Sequence, residues 1–404
     1  MKSKEKSKKL KRKDLSKFIL FVVLALFGFY IGINVDKLKT KSLSLLPSRI
    51  ISENFSAREL KESLSNKNFT LVNVHTPYEG EIEKTDMFIE YDSMMASKNM
   101  LPQDKNARIV LYCKTGRMST EALETLRGMG YTNVSHLKGG MDAWREAEYE
   151  IMDLSKLPEE VLPEAGFELP VVWGDVGPRL IELGVIDLAK LEKAVNMTDE
   201  QKEILTSGSD QKIKIDMSNG QFIVDVLWAL GLAQKSKVYQ EGPLGTEYKD
   251  KAGSFASTGG WSLAKGDAVN YLGKFDLIPL TNTQQEKVSE IAKNVYRPCC
   301  GNSTWFPDCN HGMAALAAIE LMVSEGLSDE EIYKNVLALN SFWFPSSYLT
   351  AATYFARQGV SWDEVDAKEV LGQEYSSGQG AGEIFKKVGP LPYELKGVGG
   401  SCGA

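Results

Sequence analysis

Cysteine and histidine are scarce in this chain, with five and three among 404 residues. So thin a supply excludes a scaffold built on disulfides. Repeats are lacking: no segment recurs at a fixed period. The Cys-x-x-Cys-His signature of covalently attached haem is missing. The Gly/Ser-containing loop at 253–266, with Trp261 in it, lacks the Lys-Ser/Thr pair of a phosphate loop. Net positive charge is confined to one end. Residues 1–17 hold nine Lys or Arg against two acids, so with an overall charge of −7 the other 387 residues carry −14. A body that acidic excludes nucleic acid as the main partner, because phosphate binding needs a basic surface. A content of 43% hydrophobic and 25% charged residues is ordinary for a globular protein and excludes fibrous and wholly disordered chains. The length predicts two or three structural units.

Long apolar runs are few. Residues 18–35 carry no charge and begin Phe18-Ile19-Leu20-Phe21-Val22-Val23-Leu24. At about 18 residues the run is near the lower limit for a bilayer-spanning helix. The basic flank before it predicts a single-pass anchor in the cell membrane, with the N-terminus cytoplasmic and the bulk extracytoplasmic. A cleaved signal peptide is the alternative, but no small-x-small site follows Tyr30-Ile31-Gly32-Ile33-Asn34. A buried core helix is the third reading. The other apolar run, after Gly312, contains Glu320 and reads as a buried helix. The expected plan is a basic tail (1–17), the anchor (18–35), a linker (36–50), an α/β domain (51–152), a mostly helical domain (153–390) and a Gly-rich tail (391–404) carrying Cys402.

Within 51–152, strand and helix signals alternate. Phe69-Thr70-Leu71-Val72-Asn73-Val74 and Arg108-Ile109-Val110-Leu111-Tyr112 are short β-rich runs, and the second stops at Cys113. A loop follows, Cys113-Lys114-Thr115-Gly116-Arg117-Met118, and Ser119 opens a helical stretch closed by Gly128 and Gly130. Val134 and Leu137 mark another strand, and Gly139-Gly140 turns into a last helix. The pattern predicts an α/β domain with parallel strands, and functional loops in such sheets lie at the carboxyl ends of strands. Cys113 sits at such an end. Loop amides, the helix N-terminus and the charges of Lys114 and Arg117 can favour an anionic sulfur there, whether thiolate or persulfide.

These residues resemble the rhodanese family of sulfurtransferases. The likeness covers about a quarter of the chain and rests on Leu71-Val72-Asn73-Val74, the loop from Cys113 to Met118 with Ser119, Gly130-Tyr131-Thr132-Asn133-Val134, and Leu137-Lys138-Gly139-Gly140 before Trp144. The resemblance implies a doubly wound α/β domain with a parallel sheet, in which Cys113 accepts sulfane sulfur as a persulfide and passes it to a thiol or other nucleophile. Lys114, Thr115, Gly116, Arg117 and Met118 would complete the catalytic loop. No cofactor is implied; the partners are a sulfane donor and a thiol acceptor. The family's usual Asp-Val-Arg triplet reads Asn73-Val74-His75 here. Its Gly-His-Ile-Pro-Gly-Ala stretch is replaced by Glu81-Ile82-Glu83-Lys84-Thr85-Asp86. Its sixth loop residue, often Arg, is Met118. The altered cations leave thiosulfate open as the donor. His75 either tunes Cys113 or is a structural hydrogen-bonding residue.

In the third region, Leu157-Pro158 and Leu162-Pro163 mark a linker. Capping boxes at Thr198/Gln201, Thr283/Glu286, Ser328/Glu331 and Ser361/Glu364 then announce a mostly helical domain. Cys299, Cys300, Cys309 and His311 fall within thirteen residues. Asp308 reads as an N-cap, with Cys309 in the first helical turn. Three readings stay open. The cluster binds Zn or Cu, with Met313 a conceivable extra ligand. It forms a thiol/disulfide relay, with Cys309 pairing Cys299 or Cys300. Or it is a structural disulfide plus a spare thiol. Cys402, between glycines, is either a relay thiol or an incidental one. The block from Tyr296 to Gly312 resembles a recurring bacterial and archaeal domain with no established activity. Two functions are weighed: a membrane-anchored sulfurtransferase using Cys113, and a soft-metal or thiol-redox protein whose rhodanese-like domain is not catalytic.

Overall fold

The computed structural model describes residues 54–393. The run at 18–35 and Cys402 lie outside the described residues. Among those described, no helix is long and apolar enough to cross a membrane.

Short β-branched and aromatic runs become β1 (Asn54–Phe55), β2 (Thr70–Asn73), β3 (Met87–Phe88), β4 (Ile109–Tyr112) and β5 (Val134–Leu137). They form one parallel sheet in the order β1-β5-β4-β2-β3. Alternate side chains face opposite sides. On one face, Val72, Ile109 and Leu111 pack with Ala122, Leu123 and Leu126 of α2 (Arg117–Gly128). On the other, Leu71, Val110 and Tyr112 pack with Leu60 and Leu64 of α1 (Ala57–Leu64) and with Met141 and Trp144 of α3 (Gly140–Glu146). All four residues of β4 are buried, as expected for an interior parallel strand covered on both faces. The loop leaving its carboxyl end is therefore anchored at the centre of the sheet.

The rest is mostly helical. Its main elements are α4 (Gly220–Ala233), α5 (Asn282–Asn294), α6 (Asn310–Ser324), α7 (Asp329–Trp343), α8 (Pro345–Arg357) and α9 (Gly378–Val388). Helices α4 and α6 are buried almost all round, so neither shows a polar face. They pack tightly because Gly231 has no side chain: a Cβ there would collide with the Met313 carbonyl.

Three details depart from the sequence reading. The expected linker is not extended: Leu157–Val161 is a helix that takes Pro158 in its first turn, where the missing N–H does no harm. An antiparallel pair, β6 (Phe167–Gly174) and β7 (Ser209–Ile215), was not anticipated. The boxes at Thr198 and Ser328 form; Thr283 and Glu286 lie inside α5, which is capped by Thr281 with Gln284, and Ser361 makes no capping bond to the backbone.

One buried ion pair ties the two regions together. Arg357, at the end of α8, donates from Nε and Nη2 to the two carboxylate oxygens of Glu81, each at 2.8 Å. Its Nη1 donates to the carbonyls of Asp86 (3.0 Å) and Val388 (2.8 Å). Both side chains are essentially inaccessible. The stretch that departs from the family pattern is thus the one that receives the helical region.

Glu320 in α6 is fully buried, and burial pushes its carboxyl from 4.5 up to about 8, with the Ser236 hydroxyl offsetting only part. The folded chain keeps this proton up to about pH 8, whereas the unfolded chain releases it near 4.5. Its contribution is complete below the unfolded value and is lost as pH rises through the folded one. Glu320→Gln should therefore flatten the fall in stability between about pH 5 and about pH 8, removing a loss on the order of 4 kcal/mol. Urea unfolding of both proteins across that range checks this; an unchanged slope refutes it.

Candidate active site

Cys113 follows β4 directly and is 1% exposed. Its loop bends back through Gly116, whose φ of 100° is easily adopted only without a side chain. The bend brings two amides to the sulfur. Gly116 N–H donates to Cys113 Sγ at 3.1 Å and Ser119 N–H donates at 3.5 Å. The Ser119 hydroxyl lies 3.7 Å from Sγ, 3.1 Å from the Gly116 carbonyl and 3.1 Å from His136 Nδ1. A sulfur at the start of α2 is thus met by backbone dipoles.

Both loop cations are held in ion pairs. Lys114 Nζ pairs with Glu79 at 2.6 Å, and Arg117 pairs with Glu121 at 2.6 Å. Their charge is balanced by carboxylates, so the amides are the donors at Sγ. Thr115 lies in the bend between Lys114 and Gly116.

The two residues standing at positions where the family often has arginine, His75 and Met118, meet each other. His75 Nδ1 lies 3.3 Å from Met118 Sδ, and His75 Nε2 lies 3.5 Å from Glu79. Asn73, fully buried, accepts from His75 N–H (3.1 Å) and donates to the Gly80 carbonyl (3.0 Å). A thioether–imidazole contact thus stands at two of the departures from the rhodanese pattern.

Helix α3 locks the loop from behind. Met141 N–H donates to the Cys113 carbonyl (2.8 Å) and Asp142 N–H to the Lys114 carbonyl (2.9 Å). This close approach requires Gly140, since a Cβ there would collide with both carbonyl oxygens. Gly140→Ala should displace the loop and lower any Cys113 chemistry by about 100-fold. Steady-state sulfur transfer is the check; a rate near wild type would separate the loop from α3.

The second cluster is assembled as a triangle of sulfurs. Cys299 Sγ is 3.6 Å and Cys300 Sγ 3.9 Å from Cys309 Sγ. Cys309, not Asp308, is the N-cap of α6, and its sulfur accepts from Gly312 N–H at 3.4 Å. Asp308 instead binds buried Arg297 at 3.3 Å and Asn302 at 2.8 Å. Arg297 also donates to Cys300 Sγ at 3.1 Å. The S–H groups of Cys299 and Cys300, together with Arg297 and the Gly312 amide, hold the Cys309 thiol well below its usual range. Cys299 is pushed up by its bonds to Cys300 and Cys309. Cys300 is also raised: its bond from Cys299 acts downward, but its bond to Cys309 and burial outweigh that. All three are free thiols in this structure.

His311 does not join them. Its Nδ1 lies 2.9 Å from Asn310 Oδ1 and its ring packs on Trp343 and Phe344. Burial pushes its pKa down to about 4. Met313 is fully buried in α6. Among the described residues, only Cys299, Cys300 and Cys309 form a group suited to one ion.

Residues 56–147 match the Rhodanese-like domain family. The chain therefore carries a rhodanese-like domain. A probable adenylyltransferase/sulfurtransferase, MoeZ, of Mycobacterium tuberculosis is 38% identical over 92 residues, covering 22% of this chain and 23% of that protein. A tRNA uridine(34) hydroxylase of Erwinia tasmaniensis is 32% identical over 91 residues, covering 21% of this chain and 26% of that one. The chain thus spans about a quarter of the length of these curated relatives. Among solved structures, a rhodanese-like domain protein from Staphylococcus aureus is 27% identical, with 22% of this chain and 89% of that chain covered and a TM-score of 0.21. A rhodanese-related protein from Thermoplasma volcanium is 25% identical, with 24% and 96% covered and a TM-score of 0.22.

Proposed function

We propose that the chain is a sulfurtransferase in which Cys113 carries sulfane sulfur. The observation that carries this reading is the pair of amides, from Gly116 and Ser119, aimed at a cysteine at the carboxyl end of the central strand of a rhodanese-like domain. In the first step the Cys113 thiolate attacks the outer sulfur of a donor X–S⁻. An S–S bond forms, the X–S bond breaks with its electron pair, and X leaves as the anion. In the second step an acceptor thiolate attacks the outer sulfur of the Cys113 persulfide. Cys113 thiolate leaves and the acceptor becomes the persulfide. No net redox change and no cofactor is required. The amides bind whichever sulfur bears the charge.

The cations bear on the donor class. Lys114 and Arg117 are paired with carboxylates, and Met118, at the position where the family often has Arg, carries no charge and contacts His75. That favours a persulfide or polysulfide over thiosulfate. The test is to incubate the full chain with glutathione persulfide or with thiosulfate and map added sulfur by mass spectrometry. One sulfur on Cys113 from the persulfide, with slower loading from thiosulfate, is expected. No loading from either donor removes the proposal.

A further inference from the structure

We propose that Cys299, Cys300 and Cys309 form a three-thiolate site for a soft, closed-shell metal cation of the Cu(I) class. Three observations carry this. First, the sulfurs already stand at ligand spacing. With metal–sulfur bonds of about 2.3 Å, thiolates on a trigonal or tetrahedral centre lie about 3.8 to 4.0 Å apart. The observed separations are 3.6 and 3.9 Å, and all three sulfurs lie within 4.8 Å of one another. A disulfide would need one pair to close to about 2 Å and would leave the third thiol out.

Second, the backbone holding the sulfurs is tied down before any ion arrives. Tyr296 and Ser303 pair across the loop. Thr304 N–H donates to the Val295 carbonyl (2.8 Å), and Gly378 N–H of α9 donates to the Cys300 carbonyl (2.7 Å). Arg297 lies fully buried under the first turn of α6, where Gly312 leaves room for its guanidinium. It donates to Cys300 Sγ, Thr304 Oγ1 and Asp308, while the Gly312 amide donates to Cys309 Sγ. Three thiolates around a monovalent ion leave a net −2. A buried guanidinium, an amide and the N-terminus of a fifteen-residue helix are suited to offset it.

Third, the described residues offer three ligands and no fourth, because the His311 ring is turned to Asn310. Structural zinc takes four protein ligands, whereas Cu(I) is satisfied by soft thiolates in lower coordination. The chemistry does not involve Cys113, so this site and the sulfurtransferase proposal stand or fall separately.

The test uses the full chain with Cys113→Ser and Cys402→Ser, which removes the other two thiols. Anaerobic titration with Cu(I) against a chromogenic chelator should give one ion per chain. X-ray absorption should give three sulfurs in the first shell. Adding Cys309→Ser should weaken binding by about 100-fold or more. Since that variant can misfold, the wild-type chain supplies a second readout: Cu(I) should protect Cys299, Cys300 and Cys309 together from iodoacetamide. Binding that survives loss of Cys309, or tighter binding of Zn(II) than of Cu(I), would overturn the proposal.

Discussion

Cys113→Ser is expected to lower kcat/KM for sulfur transfer by about a thousandfold or more while leaving the melting temperature nearly unchanged. The two halves of this expectation have different origins. The loss is chemical: a hydroxyl is not ionised near neutral pH and cannot form a persulfide. The retained stability is structural. Serine is slightly smaller than cysteine, the site is only 1% exposed, and Oγ can still accept the Gly116 amide. Turnover with a persulfide donor and an acceptor thiol reads the first half, and thermal unfolding reads the second. Turnover above about a tenth of wild type would place the transferable sulfur elsewhere, with Cys309 the next thiol to map. A large fall in melting temperature would instead mean that the substitution reports on packing.

The Cys113 loop was legible in the sequence because its determinants are local. A four-residue strand, a cysteine, a glycine and a helix start all lie within about ten residues, and each carries its own propensity signal. The charges beside it were legible only as charges. Lys114 is claimed by Glu79, 35 residues earlier, and Arg117 by Glu121 one turn on. A charge pattern does not say which of several carboxylates wins. The thiol cluster was likewise visible as a local concentration, but its cap was misassigned. Aspartate outranks cysteine as an N-cap, yet Asp308 is drawn to Arg297, which the sequence did not single out. His136 was passed over because a histidine inside an apolar strand gives no sign of reaching Ser119. Strand β6 did carry a period-two pattern of buried and exposed residues. It was lost among strong helix signals on either side.

Least legible of all was the buried pair that joins the two regions, and it yields the largest expected effect on stability. Glu81 and Arg357 are 276 residues apart in the chain. Nothing local marks either as special. In the fold, Arg357 satisfies both oxygens of Glu81 and two backbone carbonyls, so it is the counter-charge for an acid with no access to water. Arg357→Met removes the guanidinium and leaves the carboxylate, the Asp86 carbonyl and the Val388 carbonyl buried without it. The expected destabilisation is about 3–5 kcal/mol, because an uncompensated buried charge outweighs the Coulomb attraction lost. The double variant Glu81→Gln/Arg357→Met should regain most of that loss, since a neutral amide beside a methionine demands no counter-charge. Urea unfolding of wild type, single and double variants completes the cycle. A single variant within about 1 kcal/mol of wild type would mean that water reaches Glu81. A double variant no better than the single would put the loss in the Asp86 and Val388 carbonyls rather than in the charge. Restoration by the double variant would show that this acid, standing where the rhodanese pattern has a different stretch, holds the helical region on the sheet through its charge.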